Sequence, residues 1–184
     1  SYLLLTRGID KDVLYEFMCR KIIYESDDYH NAVFVGYDSN GKPRHAHKRG
    51  TVTNNPYKGN VAGSQSEFSF HWHGTSDKIF LFEAPIDMLS YISMHKDNWQ
   101  RHSYAASCSV SDRVLFQCLK DNPNIKNVFL CFDNDEAGQT ANKRIADKLN
   151  SMNIKSEILI PIHKDWNEDI LNSERTDEIC RQVL

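Results

Sequence analysis

The sequence predicts an α/β protein: a four-stranded, mainly parallel sheet flanked by helices, preceded by a small α+β unit. Three observations predict it. Short β-rich apolar runs, Ile79-Phe80-Leu81-Phe82 and Val128-Phe129-Leu130-Cys131-Phe132, are each followed by a helical pattern, as buried parallel strands are followed by their crossover helices. Both runs end on carboxylates, Glu83 in the first and Asp133-Asn134-Asp135 in the second. Residues 1–76 have another texture, one helix and then β-like segments, so the expected division is a domain over 1–76 and a second over 77–184.

Taken in order, Asp10 caps a helix that runs to about Arg20, with Val13, Leu14, Phe17 and Met18 as its apolar face. Asn31–Tyr37 and Pro43–Arg49 flank Asp38-Ser39-Asn40-Gly41. Asn-Gly between two extended runs predicts a hairpin. Residues 50–67, rich in Gly, Asn and Ser, predict a long loop, and Phe68–Trp72 alternates as one more strand. In the second half, a strand over 79–83 leads into a helix from Pro85 to about His95. Proline suits a helix's first turn because no N–H is needed there. Ser103–Ala106 predicts the second strand and Ser111–Leu119 its helix. The third strand, 128–132, precedes a helix from Glu136 to Leu149 with Ala137, Ala141, Ile145 and Leu149 on one stripe. Ile158–Ile160 is the fourth strand, and 164–184 form a polar turn and a terminal helix. Strands alternating with helices imply a parallel sheet covered on both faces.

With 184 residues, 40% hydrophobic and 26% charged, the chain has the composition of a soluble globular protein with a proper core. No apolar stretch is long enough to cross a bilayer, so no membrane partner is expected. The net charge of -3 argues against a protein that simply coats nucleic acid. Any such contact is expected to be local, or bridged by metal. Cysteines stand at 19, 108, 118, 131 and 180 without a CxxC pair, which reads as reduced thiols and a cytoplasmic location. The opening on Ser1 rather than Met implies a piece cut from a longer protein.

Carboxylates at the carboxyl ends of parallel strands gather in the crevice where open α/β sheets place ligands. Glu83, Asp133 and Asp135 would repel one another there unless a cation joined them, and oxygen-only ligands suit Mg²⁺ or Mn²⁺. Asp133 and Asp135, two apart on an extended stretch, point the same way and could share one ion. Gly138 allows close backbone approach. A third acidic element, Lys164-Asp165 and on to Asp169, follows the fourth strand. The plainer readings stay open: Asp133 or Asp135 as a helix cap, Asp87 as a complement to a helix dipole, Asp169 as a first-turn acid. Lys42, Arg44 and Lys48 share one face of an extended strand, while His45, His47 and Arg49 share the other. The basic residues could track a phosphate backbone or protect a solvated edge strand. Arg7 divides between a phosphate contact and a structural ion pair. The pairs His45/His47 and His71/His73 invite a zinc reading, although no cysteine is near. No GxxxxGK[ST] loop occurs.

Glu83 with Asp87, then Asp133-Asn134-Asp135 with Ala137-Gly138, then Lys164-Asp165 resemble the TOPRIM domain, in the right order and on matching β–α junctions over about 77–170. That domain is shared by bacterial DNA primases, topoisomerases and some nucleases. Residues 2–75, with Thr6-Arg7-Gly8-Ile9-Asp10, resemble the segment that precedes TOPRIM in primase-like proteins of conjugative and other mobile elements. The resemblance implies a Rossmann-like TOPRIM core. It implies Mg²⁺ (or Mn²⁺) held by Asp133 and Asp135 with Glu83 and Asp165, and chemistry assisted by Glu83, Asp87 and Lys164. It implies DNA or RNA, as a single strand or primer-template, as partner, together with replication or conjugation proteins. The weaker candidates for nucleic-acid contact are Arg7, Lys42, Arg44, Lys48 and Arg49. The function implied is a Mg²⁺-dependent nucleic-acid enzyme, by primase-like nucleotidyl transfer or phosphodiester hydrolysis, from a mobile-element replication or transfer protein. The alternative is a catalytically silent DNA-binding or scaffolding module. Two departures bear on substrate geometry: Ala84 stands where primases have glycine, and Ala106–Val110 lacks the glycine expected after the second strand.

Overall fold

The computed structural model describes residues 1–52 and 57–173; Cys180 and the expected helix beyond 173 lie outside them. A short helical segment, Tyr2–Thr6, buries Leu3. It leads to α1 (Lys11–Cys19) and an antiparallel sheet, β1 (Ile23–Glu25), β2 (Ala32–Tyr37), β3 (Pro43–Arg49) and β4 (Lys58–Asn60), in the order β1-β2-β3-β4. The β2–β3 hairpin is the one the Asn-Gly turn predicts. The strands β1 and β4 are not foreseen by apolar pattern, and β4 lies inside the stretch read as loop.

The second sheet has five strands in the order β5-β7-β6-β8-β9: β5 (His71–Trp72), β6 (Lys78–Phe82), β7 (Ser103–Ala106), β8 (Asn127–Cys131) and β9 (Lys155–Ile158). Three of the four predicted parallel strands stand where expected, the fourth runs over Lys155–Ile158 rather than 158–160, and short β5 adds an antiparallel edge against β7. Residues 66–68 form a helical turn rather than the start of that strand. The crossovers are α2 (Pro85–Met94), α3 (Arg113–Asp121) and α4 (Glu136–Ser151). A last helix, α5, begins at residue 166 and is described to 173.

Side-chain alternation on β6 splits the core in two. Phe80 and Phe82 pack with α2 and with Trp72, Tyr104 and Cys131, while Ile79 and Leu81 pack with Val114 and Leu115 of α3 and Ile145 and Leu149 of α4. The first of these cores also takes in Val13 and Phe17 of α1, and Phe17 stacks on Trp99 at 5.4 Å and 7°. The two halves of the chain therefore share apolar packing. One close backbone approach within the first unit needs a bare residue: a Cβ on Gly36 of β2 would lie 1.8 Å from the Phe68 carbonyl oxygen.

Asp10 caps α1 as its sequence position predicts. Its carboxylate accepts from the backbone N–H groups of Asp12 at 2.9 Å and Val13 at 3.1 Å, and from Lys96 Nζ at 2.6 Å. Lys96 is half exposed, so the ion pair adds little. Asp10→Ala is expected to cost about 1–2 kcal/mol through the lost cap. A urea titration showing no shift in midpoint would refute this.

β6 sits at the centre of the sheet, with β7 on one side and β8 on the other. The order in which successive strands are laid down reverses there, from β7 on one side to β8 on the other, and such switch points open a crevice at the carboxyl ends of the strands. The Trp166 indole N–H donates to the Cys131 carbonyl at 2.9 Å, which pins the start of α5 across the same end of the sheet.

Candidate active site

Three β–α junctions deliver acids to that crevice. Glu83 follows β6, and Asp87 lies in the first turn of α2. Asp133 follows β8, and Asp165 directly precedes α5. All four line one open cleft of about 370 Å³, together with Lys164. The loop after β8 is drawn tight by the neighbouring chain. Asn134 N donates to the Lys164 carbonyl at 2.7 Å, and Gln139 Nε2 donates to the Asp133 carbonyl at 3.2 Å. Asp135 is exposed and borders the adjoining groove beside Val110 and Arg144, where its Oδ1 caps α4 by accepting from Gly138 N at 2.9 Å. The expectation that Asp133 and Asp135 point together thus meets a competing job for Asp135. Asp165 has a similar one, since its Oδ1 accepts from Glu168 N at 2.8 Å.

Burial and mutual repulsion dominate the electrostatics. Burial pushes the Asp133 carboxyl up to about 7, helped by the charges of Glu83, Asp165 and Asp135 and opposed by Lys164. Asp133 Oδ1 is buried without a hydrogen-bond partner, which is costly for a carboxylate oxygen. Glu83 is raised by burial and by Asp135, against Lys58 and Lys164. Asp87 is fully buried and raised well above the usual carboxylate range, by burial first and then by Asp133 and Asp165. Its Oδ1 accepts one bond, from Asn167 N at 3.3 Å. The acids stand close enough together to oppose one another's ionisation.

The first sheet supplies the opposite wall. His47 and Arg49 of β3 and Lys58 and Asn60 of β4 line the cleft, with His47 Nδ1 2.7 Å from Asn60 Oδ1. Arg49 Nε is buried and unpartnered. Arg7 also lines the cleft, bonded through NH1 to Asn167 Oδ1 at 3.0 Å. Asn167 Nδ2 donates to the Arg7 carbonyl at 2.7 Å and to Ser90 Oγ at 2.9 Å. Asn167 therefore ties the N-terminal segment, α2 and α5 together beneath the acids. Of the basic candidates from the sequence, Arg7 and Arg49 reach the cleft. Lys42 is exposed at the hairpin, Arg44 pairs with Asp38 at 2.7 Å, and Lys48 pairs with Asp28 on the other face of the sheet. Asp169 takes the structural role, accepting from Ile162 N and His163 N. Lys58, Asn60 and Asn167 escape sequence reasoning, because a three-residue edge strand and a helix-start asparagine carry no apolar period.

Among the described residues, no three His, Cys, Asp or Glu side chains already stand together at ion-ligating spacing. The histidine pairs accordingly assemble no zinc site there. The acids of the cleft fit a different ion. An oxygen-only donor set with one buried, unsatisfied carboxylate oxygen suits a hydrated divalent cation that takes few protein ligands and keeps several waters. Of the four carboxylates expected to hold it, Glu83, Asp133 and Asp165 line the cleft, and Asp135 stands near enough to raise Glu83.

Comparison with known proteins finds related domains. Residues 1–76 match the family described as a protein of unknown function, DUF3991, and residues 80–170 match the Toprim-like family. An uncharacterized protein of Bacillus anthracis is 26% identical, over a match covering 79% of this chain and 45% of that protein. The chain thus spans less than half the length of that relative. Among solved structures, the primase fragment of the bacteriophage T7 primase-helicase superposes with a TM-score of 0.67 at 23% identity, over 97% of this chain and 72% of that one. The Aquifex aeolicus primase, with its zinc-binding and RNA polymerase domains, gives 0.60 at 16% identity, over 95% and 53%. The E. coli primase catalytic core gives 0.60 at 14%, over 93% and 67%. At these identities the likeness is one of fold. The chain carries a Toprim-like domain over residues 80–170 behind a DUF3991 domain over residues 1–76, in the fold of primase catalytic cores.

Proposed function

We propose that the chain is the catalytic part of a metal-dependent nucleic-acid enzyme, and that its reaction is primase-like nucleotidyl transfer. The observation that carries this reading is the cleft itself, which Glu83, Asp87, Asp133 and Asp165 line together with Arg7 and with Arg49 and Lys58 of the first sheet. These basic residues supply counter-charge for phosphates. Glu83 is half-buried and raised above the usual carboxylate range by that burial and by Asp135, the direction that suits a general acid or base. Lys164 stands beside the acids and offsets their charge on Glu83 and Asp133. Mg²⁺ or Mn²⁺, when bound, neutralises phosphate charge and orients the attacking and leaving oxygens. The substrate is DNA or RNA as a single strand or primer-template; one of the similar structures is a DnaG primase catalytic domain bound to ssDNA. A cytoplasmic mobile-element replication or transfer system, with replication or conjugation proteins as partners, is the setting that fits the N-terminal resemblance.

A catalytically silent DNA-binding module is the second reading. It is favoured by the open spacing of the acids among the described residues. Turnover separates the two. With Mg²⁺ or Mn²⁺, a single-stranded template and nucleoside triphosphates, the protein is expected to make short oligonucleotides, and Glu83→Gln to slow this at least about a hundredfold, a loss of about 2.7 kcal/mol in transition-state stabilisation. Its circular-dichroism melt should stay near that of the parent. Cleavage of labelled strands without synthesis would redirect the reading to hydrolysis. Strand binding without either reaction would leave the silent module.

A further inference from the structure

The first sheet has a second hollow, on the face turned away from the acids. Alternation along β3 sends His47 and Arg49 to the cleft and Lys48 to the other side. There Asp28, Tyr29, Asn31, Lys48, Val52 and Tyr57 border a cavity of about 380 Å³. Its walls are aromatic and wet: Tyr29 is 83% exposed and Tyr57 49% exposed. The Tyr57 ring lies over Gly59, where a Cβ would stand 3.1 Å from the Tyr57 hydroxyl, so this ring rests against the sheet. Tyr29 is held out by the β1–β2 turn. It has φ +53°, and His30 after it has φ +51°, a left-handed conformation that bulky residues avoid. Ser26 Oγ fixes that turn by donating to the Asp28 carbonyl at 2.6 Å and accepting from Asn31 N at 3.2 Å. A locally strained backbone thus displays an aromatic ring to solvent.

The lining also carries an ion pair. Lys48 Nζ donates to both carboxylate oxygens of Asp28, at 3.1 and 2.9 Å. A purely apolar occupant would have to bury that pair without replacing its hydration. A flat ring with a polar edge meets both requirements, since its faces stack on tyrosine while its edge meets an acceptor and a donor side by side. Guanine matches best: its N1–H and N2–H groups suit a carboxylate, and its O6 suits an ammonium. β4 is the edge of the sheet, so a strand leaving the cleft past Lys58 can pass round it without crossing another element of that sheet.

We propose that this hollow binds an unpaired nucleobase, guanine in preference, of the same single strand that the acidic cleft engages. The proposal rests on the nucleic-acid reading above, and the test separates the two. Labelled DNA and RNA 12-mers, each with one guanine in a pyrimidine background, are titrated by fluorescence anisotropy. Tyr29→Ala combined with Tyr57→Ala is expected to weaken binding about tenfold or more, as the loss of aromatic stacking does, while Tyr57→Phe binds like the parent. Replacing the guanine with inosine, which lacks the N2 amine, should weaken binding to the parent protein several-fold and leave Asp28→Ala indifferent. The DNA and RNA arms show which strand is taken. If the double tyrosine variant binds every oligonucleotide as the parent does while Arg49→Ala binds more weakly, the hollow is not a base site and the cleft reading stands. If the parent binds none of them, both readings fall.

Discussion

Asparagine in place of Asp133 is expected to lower metal-dependent turnover at least about a hundredfold, yet to make the metal-free protein more stable above pH 7. Both effects have one cause. The Asp133 carboxyl is half-buried, has an oxygen without a partner and faces three other acids, so its folded-state value rises from 3.8 to about 7. An acid raised on folding binds more protons in the folded chain than in the unfolded one between those two values. Stability contributed by this group therefore falls as pH rises from about 4 to about 7 and then levels off. The asparagine variant removes the ionised penalty. Its advantage should be near zero at pH 4, grow towards neutrality and hold constant above. Because the side chain is partly exposed, solvent screening reduces the gain to about 1–2 kcal/mol, or several degrees in melting temperature. Mg²⁺ should raise the melting temperature of the parent at pH 8 far more than at pH 4, since protons compete for the ligand oxygens. Thermal melts of both proteins in EDTA and in Mg²⁺ at pH 4, 6 and 8 check each part. A variant that is less stable than the parent at pH 8 in EDTA would show that Asp133 has a partner not seen in the cleft.

The frame around this residue is readable in the chain because its strands are apolar. β6 and β8 are buried on both faces, so near-continuous hydrophobic runs mark them within one residue of their bounds. β9 is misplaced by pattern. The apolar stretch Ile158–Ile160 attracts the assignment, but the strand is Lys155–Ile158, set by backbone pairing of Asn127 with Lys155 at a sheet edge. Lys155 and Glu157 are solvated there and carry no signal. The acidic wall follows from strand ends and is legible for the same reason as the strands. The basic wall is not. Lys58 reaches the cleft on a strand of Lys58-Gly59-Asn60, which has no apolar residue and owes its place to pairing with β3. Arg49 was readable as sharing a face with His45 and His47, but which face met the acids depended on how the two sheets pack. Asp135 shows a further limit. A carboxylate before a helix reads equally as ligand or cap, and only the bond to Gly138 N shows the capping role.

Gly138→Ala is expected to damage the site from behind, without touching a carboxylate. A Cβ at this position would lie 2.2 Å from the Asp133 carbonyl oxygen and 3.0 Å from the Asp133 nitrogen and carbonyl carbon. All three are backbone atoms, so no side-chain rotation relieves the clash. α4 must move off the loop, or the loop must move into the cleft. Either movement strains the Gly138 N to Asp135 Oδ1 cap and the Gln139 bond to the Asp133 carbonyl. Overpacking of this kind costs about 1–3 kcal/mol. A shift of about 1 Å in Asp133 is enough to slow turnover on the order of a hundredfold. Ala137→Gly is the matched control, one residue earlier on the exposed side of the same turn, where only about 1 kcal/mol of helix propensity is lost. Turnover should survive in that control and fail in Gly138→Ala. The two effects are separable by lowering the temperature. If Gly138→Ala regains parental turnover once it is fully folded, the glycine serves stability alone, and the position of the Asp133 backbone is not what the reaction needs.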